Sequence, residues 1–245
     1  VEVPESIVIL TGGSGGIGRE IVRSLVLSGF SVWNLDKVRP ETPVLQETYR
    51  EIDLAEPLFV LERSLTKIIS EARQSGEIYG FVHCAGYGGP YHKITDVSLE
   101  EWQSIFRINV DAMYLLSKLL LPKFKESGFG RIVSIASSLS VVGSSLSVAY
   151  SSSKHALVGF VRSVADEWGE YGITANCVSP GYVDTSMGIQ EDQVSGHKQQ
   201  IISKTPVRRI AEPSEISRVV NFLMQKESGY ITGANWTVDG GLTAI

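Results

Sequence analysis

Cysteine is scarce in this chain of 245 residues: there are two, Cys84 and Cys177, and neither lies in a CxxC pair or beside histidines at ligand spacing. This argues against both a disulfide scaffold and a zinc site, and a reducing compartment fits, so a cytoplasmic location is expected. No apolar stretch approaches the roughly 18 residues of a membrane span. The opening VEVPESIVIL has neither a basic region nor a small-residue cleavage site, so no membrane partner is expected. Basic charge is not in excess: 22 Lys and Arg against 27 Asp and Glu leave a net charge of −5. No broad positive face awaits a phosphate backbone, and nucleic acid is excluded as an expected partner. Internal repeats and low-complexity linkers are also lacking, and the length suits a single domain over 1–245.

What is present is alternation. SIVIL, SVWNLD, YREID, IYGFVHCA, RIVSIAS, ITANCVSP and NWTVDG read as short strands separated by amphipathic stretches. This βαβ pattern predicts an α/β fold: a doubly wound parallel sheet of about seven strands, helices on both faces, ligand at the strands' C-terminal ends. The irregular stretch at 185–213 has the length of a binding loop, and a substrate loop is expected there.

After the first predicted strand comes TGGSGGIGREIV. Glycine admits positive φ and close backbone approach, and the following helix start offers N–H groups and partial positive charge to a pyrophosphate. Two spacings fit, Gly13, Gly15 and Gly18 or Gly12, Gly16 and Gly18. Position lends weight to both, since the motif joins strand to helix and the next strand ends in Asp36. A carboxylate there accepts hydrogen bonds from a free ribose 2′-OH. A 2′-phosphate would meet it at a cost of about 4 kcal/mol per charge pair at about 4 Å and an effective ε near 20. NAD is therefore the expected cofactor and NADP the lesser candidate, with Lys37 and Arg39 as the counter-argument and no basic residue at Ser14 or Gly15 to help them.

The run AYSSSKHAL sets Tyr150 four residues before Lys154, on one helical stripe with Leu157, Val161, Val164 and Trp168. A lysine aimed at the buried side needs a reason, because lysine is almost never fully buried without a partner. A phenol with a pKa of about 10 is a poor base at neutrality, and lowering it by roughly 3 units takes about 4 kcal/mol of stabilisation from nearby cations. Lys154 and an oxidised nicotinamide are the two cations available.

TGGSGGIG, Asp36, CAG at 84–86, Asn109 in RINV, Ser137, YSSSK and SPGYVDT at 179–185 occur together and in order. In this combination, over essentially the whole chain, the sequence resembles the short-chain dehydrogenase/reductase family. The resemblance implies a Rossmann-type fold, a catalytic set of Asn109, Ser137, Tyr150 and Lys154, and assembly as a homotetramer or homodimer through two long helices at 100–126 and 151–170. Within that set Tyr150 is the general acid or base. Ser137 polarises the substrate oxygen, chosen over its neighbour Ser138 by the family spacing of thirteen residues before the tyrosine. Asn109 has a water-holding role in a proton relay with Lys154.

For the cofactor the resemblance implies Gly12, Ser14, Gly15, Gly16, Ile17, Gly18 and Asp36 around the pyrophosphate and ribose, and Asp53 and Leu54 at the adenine. Cys84, Ala85 and Gly86 approach through their backbone, Tyr150 and Lys154 lie at the nicotinamide end, Pro180 and Gly181 turn the chain beside the cofactor, and the Val183 backbone and Thr185 hydroxyl face the carboxamide. One departure stands out. The family commonly carries Asn-Asn-Ala-Gly where this chain has His83-Cys84-Ala85-Gly86, and His83 reads as a core or capping residue. The expected activity is NAD-dependent interconversion of a secondary alcohol and its ketone, acting on a small-molecule alcohol or ketone without a metal. An NADP-dependent carbonyl or 3-oxoacyl thioester reductase is the alternative, and a noncatalytic dinucleotide-sensing module the rival of another class. Tyr87, Tyr91, His92, Val141, Val142 and Leu146 are expected around a mostly apolar substrate pocket.

Overall fold

The computed structural model describes residues 6–185 and 197–244. Ser6–Thr11 (β1) carries an unbroken apolar run, Ile7 to Leu10, and is buried from Ile7 onward, which suits a central strand covered on both faces. Around it the remaining strands, Ser31–Asp36 (β2), Glu47–Glu51 (β3), Glu77–His83 (β4), Gly130–Ile135 (β5), Ile173–Pro180 (β6) and Asn235–Val238 (β7), form one parallel sheet. Its order is β3-β2-β1-β4-β5-β6-β7. The direction of winding reverses between β1 and β4, so their C-terminal ends open a crevice.

Helices cover both faces. Gly16–Leu27 (α1) lies on one face, and Leu58–Ser75 (α2) on the other. Leu99–Phe106 (α3) leads into a π turn, Arg107–Asp111, and then into Ala112–Ser127 (α4). Val148–Trp168 (α5) joins α2 and α4 over one core, with Leu61, Leu65, Leu116, Leu120, Leu157 and Val161 almost fully buried. His197–Lys204 (α6) follows, and Pro213–Met224 (α7) packs with α1 over the second core, around Ile21, Leu25, Ile216 and Val220.

Four sequence expectations shift. The strand read as YREID starts earlier, at Glu47. The long helix expected at 100–126 is interrupted by the π turn that holds Asn109. Ser137 does not end a strand: β5 stops at Ile135, and Ser137 caps the short turn Ser138–Ser140 from an extended conformation. The expected substrate loop at 185–213 contains α6, and its residues 186–196 lie outside the described residues.

Candidate active site

The glycine loop is shaped by what it must approach. Gly12 has φ +74°, and a Cβ there would stand 2.7 Å from the Ala85 backbone. A Cβ on Gly18 would overlap the Gly12 carbonyl, so glycine alone lets α1 start so close to β1. Gly16, at φ +51°, lies beside the Thr185 side chain, whereas Gly15 faces open space. Gly13 is crowded too, where a Cβ would come 2.5 Å from the Asn34 side chain, so Gly15 alone separates the two spacings: every glycine of Gly12, Gly16 and Gly18 is constrained, and Gly15 of the other set is not. No side chain caps α1, and no acidic residue sits in its first turn, so the amides around Gly16, Ile17 and Gly18 are arranged to receive an anion.

Beneath this loop lies a polar network that nothing in the sequence spacing announced. Arg19 holds Glu47 with bonds of 2.7 and 2.6 Å and donates to the Gly13 carbonyl at 3.1 Å. Asn34 accepts from the Gly13 N–H at 3.0 Å and donates to Glu47 at 2.8 Å and to the Ser14 hydroxyl at 3.2 Å. Asp36, at the end of β2, accepts from the Ser14 N–H at 3.0 Å and from the Val38 N–H at 3.1 Å. Asp53 is exposed and accepts from the Ala55 N–H at 2.9 Å, while Leu54 is buried.

Across the crevice, α5 presents Tyr150 and Lys154. Lys154 is 3 % exposed, as its stripe predicted. Its Nζ donates to the Ile135 carbonyl at 2.8 Å and lies 5.5 Å from the centre of the Tyr150 ring. Burial pushes its pKa down to about 8. A Cβ on Gly86 would come 3.3 Å from that Nζ, so the CAG backbone closes directly over the lysine. Ser137 is half-buried and accepts from the Leu139 N–H at 3.1 Å, whereas Ser138 is buried.

Asn109 is fully buried in the π turn and braces the loop after β4. Its side-chain oxygen accepts from the Tyr87 N–H at 2.8 Å, and its amide donates to the Tyr87 carbonyl at 3.1 Å and to the Ser153 hydroxyl at 2.9 Å. Both amide hydrogens are thus engaged by the protein. His83 is fully buried, and desolvation together with the Lys154 charge pulls it down to about 3, so it is neutral. Cys84 packs its side chain against the α1 and α7 core, and burial pushes the thiol up to about 12.

The mouth of the crevice is crossed by the chain after β6. Pro180 ends that strand, and Gly181 fits tightly against Asp239, where a Cβ would come within 2.9 Å. Val183 pairs with Ala211 through bonds of 2.9 Å on either side, which brings Thr185 to Gly16. Of the cations in the expected substrate loop, Arg209 is held by Glu215 at 2.6 and 2.7 Å, Arg208 donates to the Ser203 carbonyl, and Lys198 lies 3.9 Å from Asp184. His92 joins the two apolar loops, its backbone N–H donating to the Leu146 carbonyl at 3.0 Å. Tyr87, Tyr91, Val141, Val142 and Leu146 are all exposed along this rim. Among the described residues no cluster of His, Cys, Asp or Glu suits a metal ion, and no helix is long and apolar enough to cross a membrane.

The family model described as enoyl-(acyl carrier protein) reductase matches residues 12–243. The chain belongs to the short-chain dehydrogenase/reductase family. Among its relatives, the acetoacetyl-CoA reductase of Allochromatium vinosum is 32 % identical over 246 residues, 96 % of this chain and 98 % of that protein. The 3-oxoacyl-(acyl-carrier-protein) reductase of Escherichia coli is 30 % identical over 247 residues, 98 % of each. A solved structure of an actinorhodin polyketide ketoreductase variant with NADPH superimposes with a TM-score of 0.88 at 26 % identity, covering 98 % of both chains. As a short-chain dehydrogenase/reductase, the protein is an oxidoreductase of a nicotinamide dinucleotide. The open face at Gly15, the uncapped start of α1 and the carboxylate at Asp36 fit such a cofactor.

Proposed function

We propose that the protein reduces a ketone to a secondary alcohol, with a 3-oxoacyl thioester as the leading substrate class, and runs the reverse oxidation at the same site. The observation that carries this is the buried Lys154 ammonium beside the Tyr150 ring. When bound, the reduced nicotinamide supplies the hydride that the carbonyl carbon receives. Tyr150 gives its phenolic proton to the carbonyl oxygen, so that the C–O π bond becomes a C–O–H, and the phenolate left behind is stabilised by Lys154. Ser137, on the open side of the turn after β5, donates to the same oxygen as charge develops there. Lys154 is held to the Ile135 carbonyl and is protonated below a pH of about 8. Gly12, Ser14, Gly15, Gly16, Ile17, Gly18 and Asp36 would hold the pyrophosphate and ribose, and Thr185 closes over Gly16. The relatives that act on acetoacetyl-CoA and 3-oxoacyl-(acyl-carrier-protein) by name support the thioester class, and the apolar rim from Tyr87 to Leu146 suits an acyl chain.

Asp36 favours NADH by the charge argument above. NADPH is the second reading, favoured by the cofactor of the polyketide ketoreductase and by Lys37 and Arg39 next to Asp36. The test is a panel of short 3-oxoacyl thioesters, cyclic ketones and hydroxy ketones, assayed with NADH and NADPH separately by loss of cofactor absorbance. Turnover of the thioesters above the other ketones is expected. Binding of the dinucleotide without turnover of any ketone or alcohol would leave the sensing module standing instead.

A further inference from the structure

Behind the catalytic lysine a chain of buried polar groups runs from β1 to α5 and passes through His83, the first of the two residues in which the His83-Cys84-Ala85-Gly86 stretch differs from the family motif. Thr11 and His83 are the last residues of β1 and β4 and are partners in the sheet register. The Thr11 hydroxyl accepts from the Ala85 N–H at 3.2 Å and lies 2.9 Å from His83 Nδ1. His83 Nε2 lies 3.1 Å from the Asn109 carbonyl. A carbonyl can only accept, so Nε2 carries the ring hydrogen. Nδ1 is then bare, and the Thr11 hydroxyl spends its single hydrogen on it.

The far end of the chain is the π turn. There the Ala112 N–H reaches back five residues to the Arg107 carbonyl. Such a widening arises where an outside group enters the helical ladder, and His83 is the side chain that reaches a carbonyl of this turn. From the turn the Asn109 amide clamps both backbone groups of Tyr87 and the Ser153 hydroxyl. Ser153 in turn donates to the Tyr150 carbonyl at 2.7 Å. The imidazole is thus two side chains away from the residue that would move the proton.

We propose that His83 is a positioning residue for ketone reduction: its Nε2–H holds the Asn109 carbonyl, fixes the π turn, and through the Asn109 amide and Ser153 sets Tyr150 and Lys154 against the crevice. The proposal rests on the reductase reading of the site. An aliphatic residue at this position would strand two buried polar groups, the Asn109 carbonyl and the Thr11 hydroxyl, whereas asparagine restores an amide able to donate and accept.

The test compares the parent with His83→Leu, His83→Asn and Thr11→Val, measuring kcat, the KM for dinucleotide and the melting temperature. In addition, nitrogen NMR of histidine-labelled parent reads the ring tautomer. His83→Leu is expected to lower kcat about tenfold with the dinucleotide KM within about threefold, and His83→Asn to recover most of the loss. Thr11→Val, which frees the ring to exchange tautomers, should lower kcat about threefold; should the leucine variant fail to fold, this variant and His83→Asn carry the decision. An Nδ1–H tautomer in the parent, kcat unchanged within twofold in the folded variants, or an asparagine variant no better than leucine would each overturn the proposal. If the parent reduces no ketone at all, the reductase reading fails, while the tautomer spectrum still decides whether His83 holds the Asn109 carbonyl.

Discussion

Two clusters of buried charge lie at the same edge of the sheet and are built in opposite ways. Under the glycine loop, Arg19 at 8 % exposure meets a Glu47 side chain at 1 %, and Asn34 ties both to the loop. Burial pushes the Glu47 carboxyl up, but hydrogen bonds from Arg19, the Val44 N–H and Asn34 outweigh it and hold the group below the usual carboxylate range. Across β1, Lys154 has a carbonyl for its partner instead of a carboxylate, and burial pushes it down to about 8. A paired charge keeps its ordinary protonation and works as scaffold. An ammonium buried without a counter-ion destabilises the fold, and it sits where a proton has to move.

The largest expected effect separates these two tasks. Tyr150→Phe keeps the ring and removes the proton donor, so kcat should fall about 10³-fold. Dinucleotide affinity, read by fluorescence quenching, should change little, because the glycine loop is untouched; an undiminished kcat would remove Tyr150 from the chemistry. Next comes the cost of the unpaired ammonium. The folded pKa of Lys154, about 8, lies below its ordinary 10.5. Below pH 8 both folded and unfolded chains hold the proton, and above 10.5 neither does. Between these values the unfolded chain binds more protons, so this group makes stability rise with pH, by up to about 3 kcal/mol. In urea unfolding at several pH values, the parent should therefore gain on Lys154→Met through that window. Parallel curves for the two proteins would show that the lysine is no burden to the fold.

Much of this division was legible in the sequence, for a physical reason. The Tyr150 to Lys154 stripe and the glycine loop are local: helical spacing alone aims Lys154 inward, and Gly12, Gly16 and Gly18 fix a turn within a few residues. Arg19 and Glu47 meet across 28 residues, and His83 meets Asn109 across 26, so no periodicity links them. The end of β5 at Ile135 escaped for another reason. Alanine and serine at 136 and 137 carry no signal that ends a strand, and Ser137 is still extended where it caps the turn Ser138–Ser140. The π turn has no residue signature of its own, since Arg107 to Asp111 reads as ordinary helix, and the His83 contact to its Asn109 carbonyl comes from a distant strand.

Breaking the paired cluster should affect the fold more than the chemistry. Glu47→Gln leaves the Arg19 guanidinium buried without its counter-ion, at a cost of about 3 kcal/mol in stability. The Gly13 to Ser14 loop should loosen as Asn34 loses its charged acceptor, raising the dinucleotide KM several-fold. At saturating dinucleotide, kcat should stay within about twofold of the parent. A loss of kcat comparable with that of Tyr150→Phe would mean that the two clusters are one.

The smallest effect sharpens the comparison at its boundary, where the scaffold touches ligand. Asp36 accepts from the Ser14 N–H at 3.0 Å, so its charge faces the loop that the Arg19 and Glu47 pair supports. Asp36→Asn keeps the length and one acceptor oxygen for that N–H while removing the charge, so any change in cofactor choice reports electrostatics and not loop collapse. The carboxylate is only half-buried, and solvent screens it, so the shift should fall below the Coulomb figure of about 4 kcal/mol. The ratio of kcat/KM for NADH over NADPH is expected to drop about 10- to 100-fold, equivalent to roughly 1.4 to 2.7 kcal/mol. A parent that already prefers NADPH, with a ratio unmoved by the substitution, would show that Lys37 and Arg39 outweigh the carboxylate and that this corner of the scaffold reads phosphate.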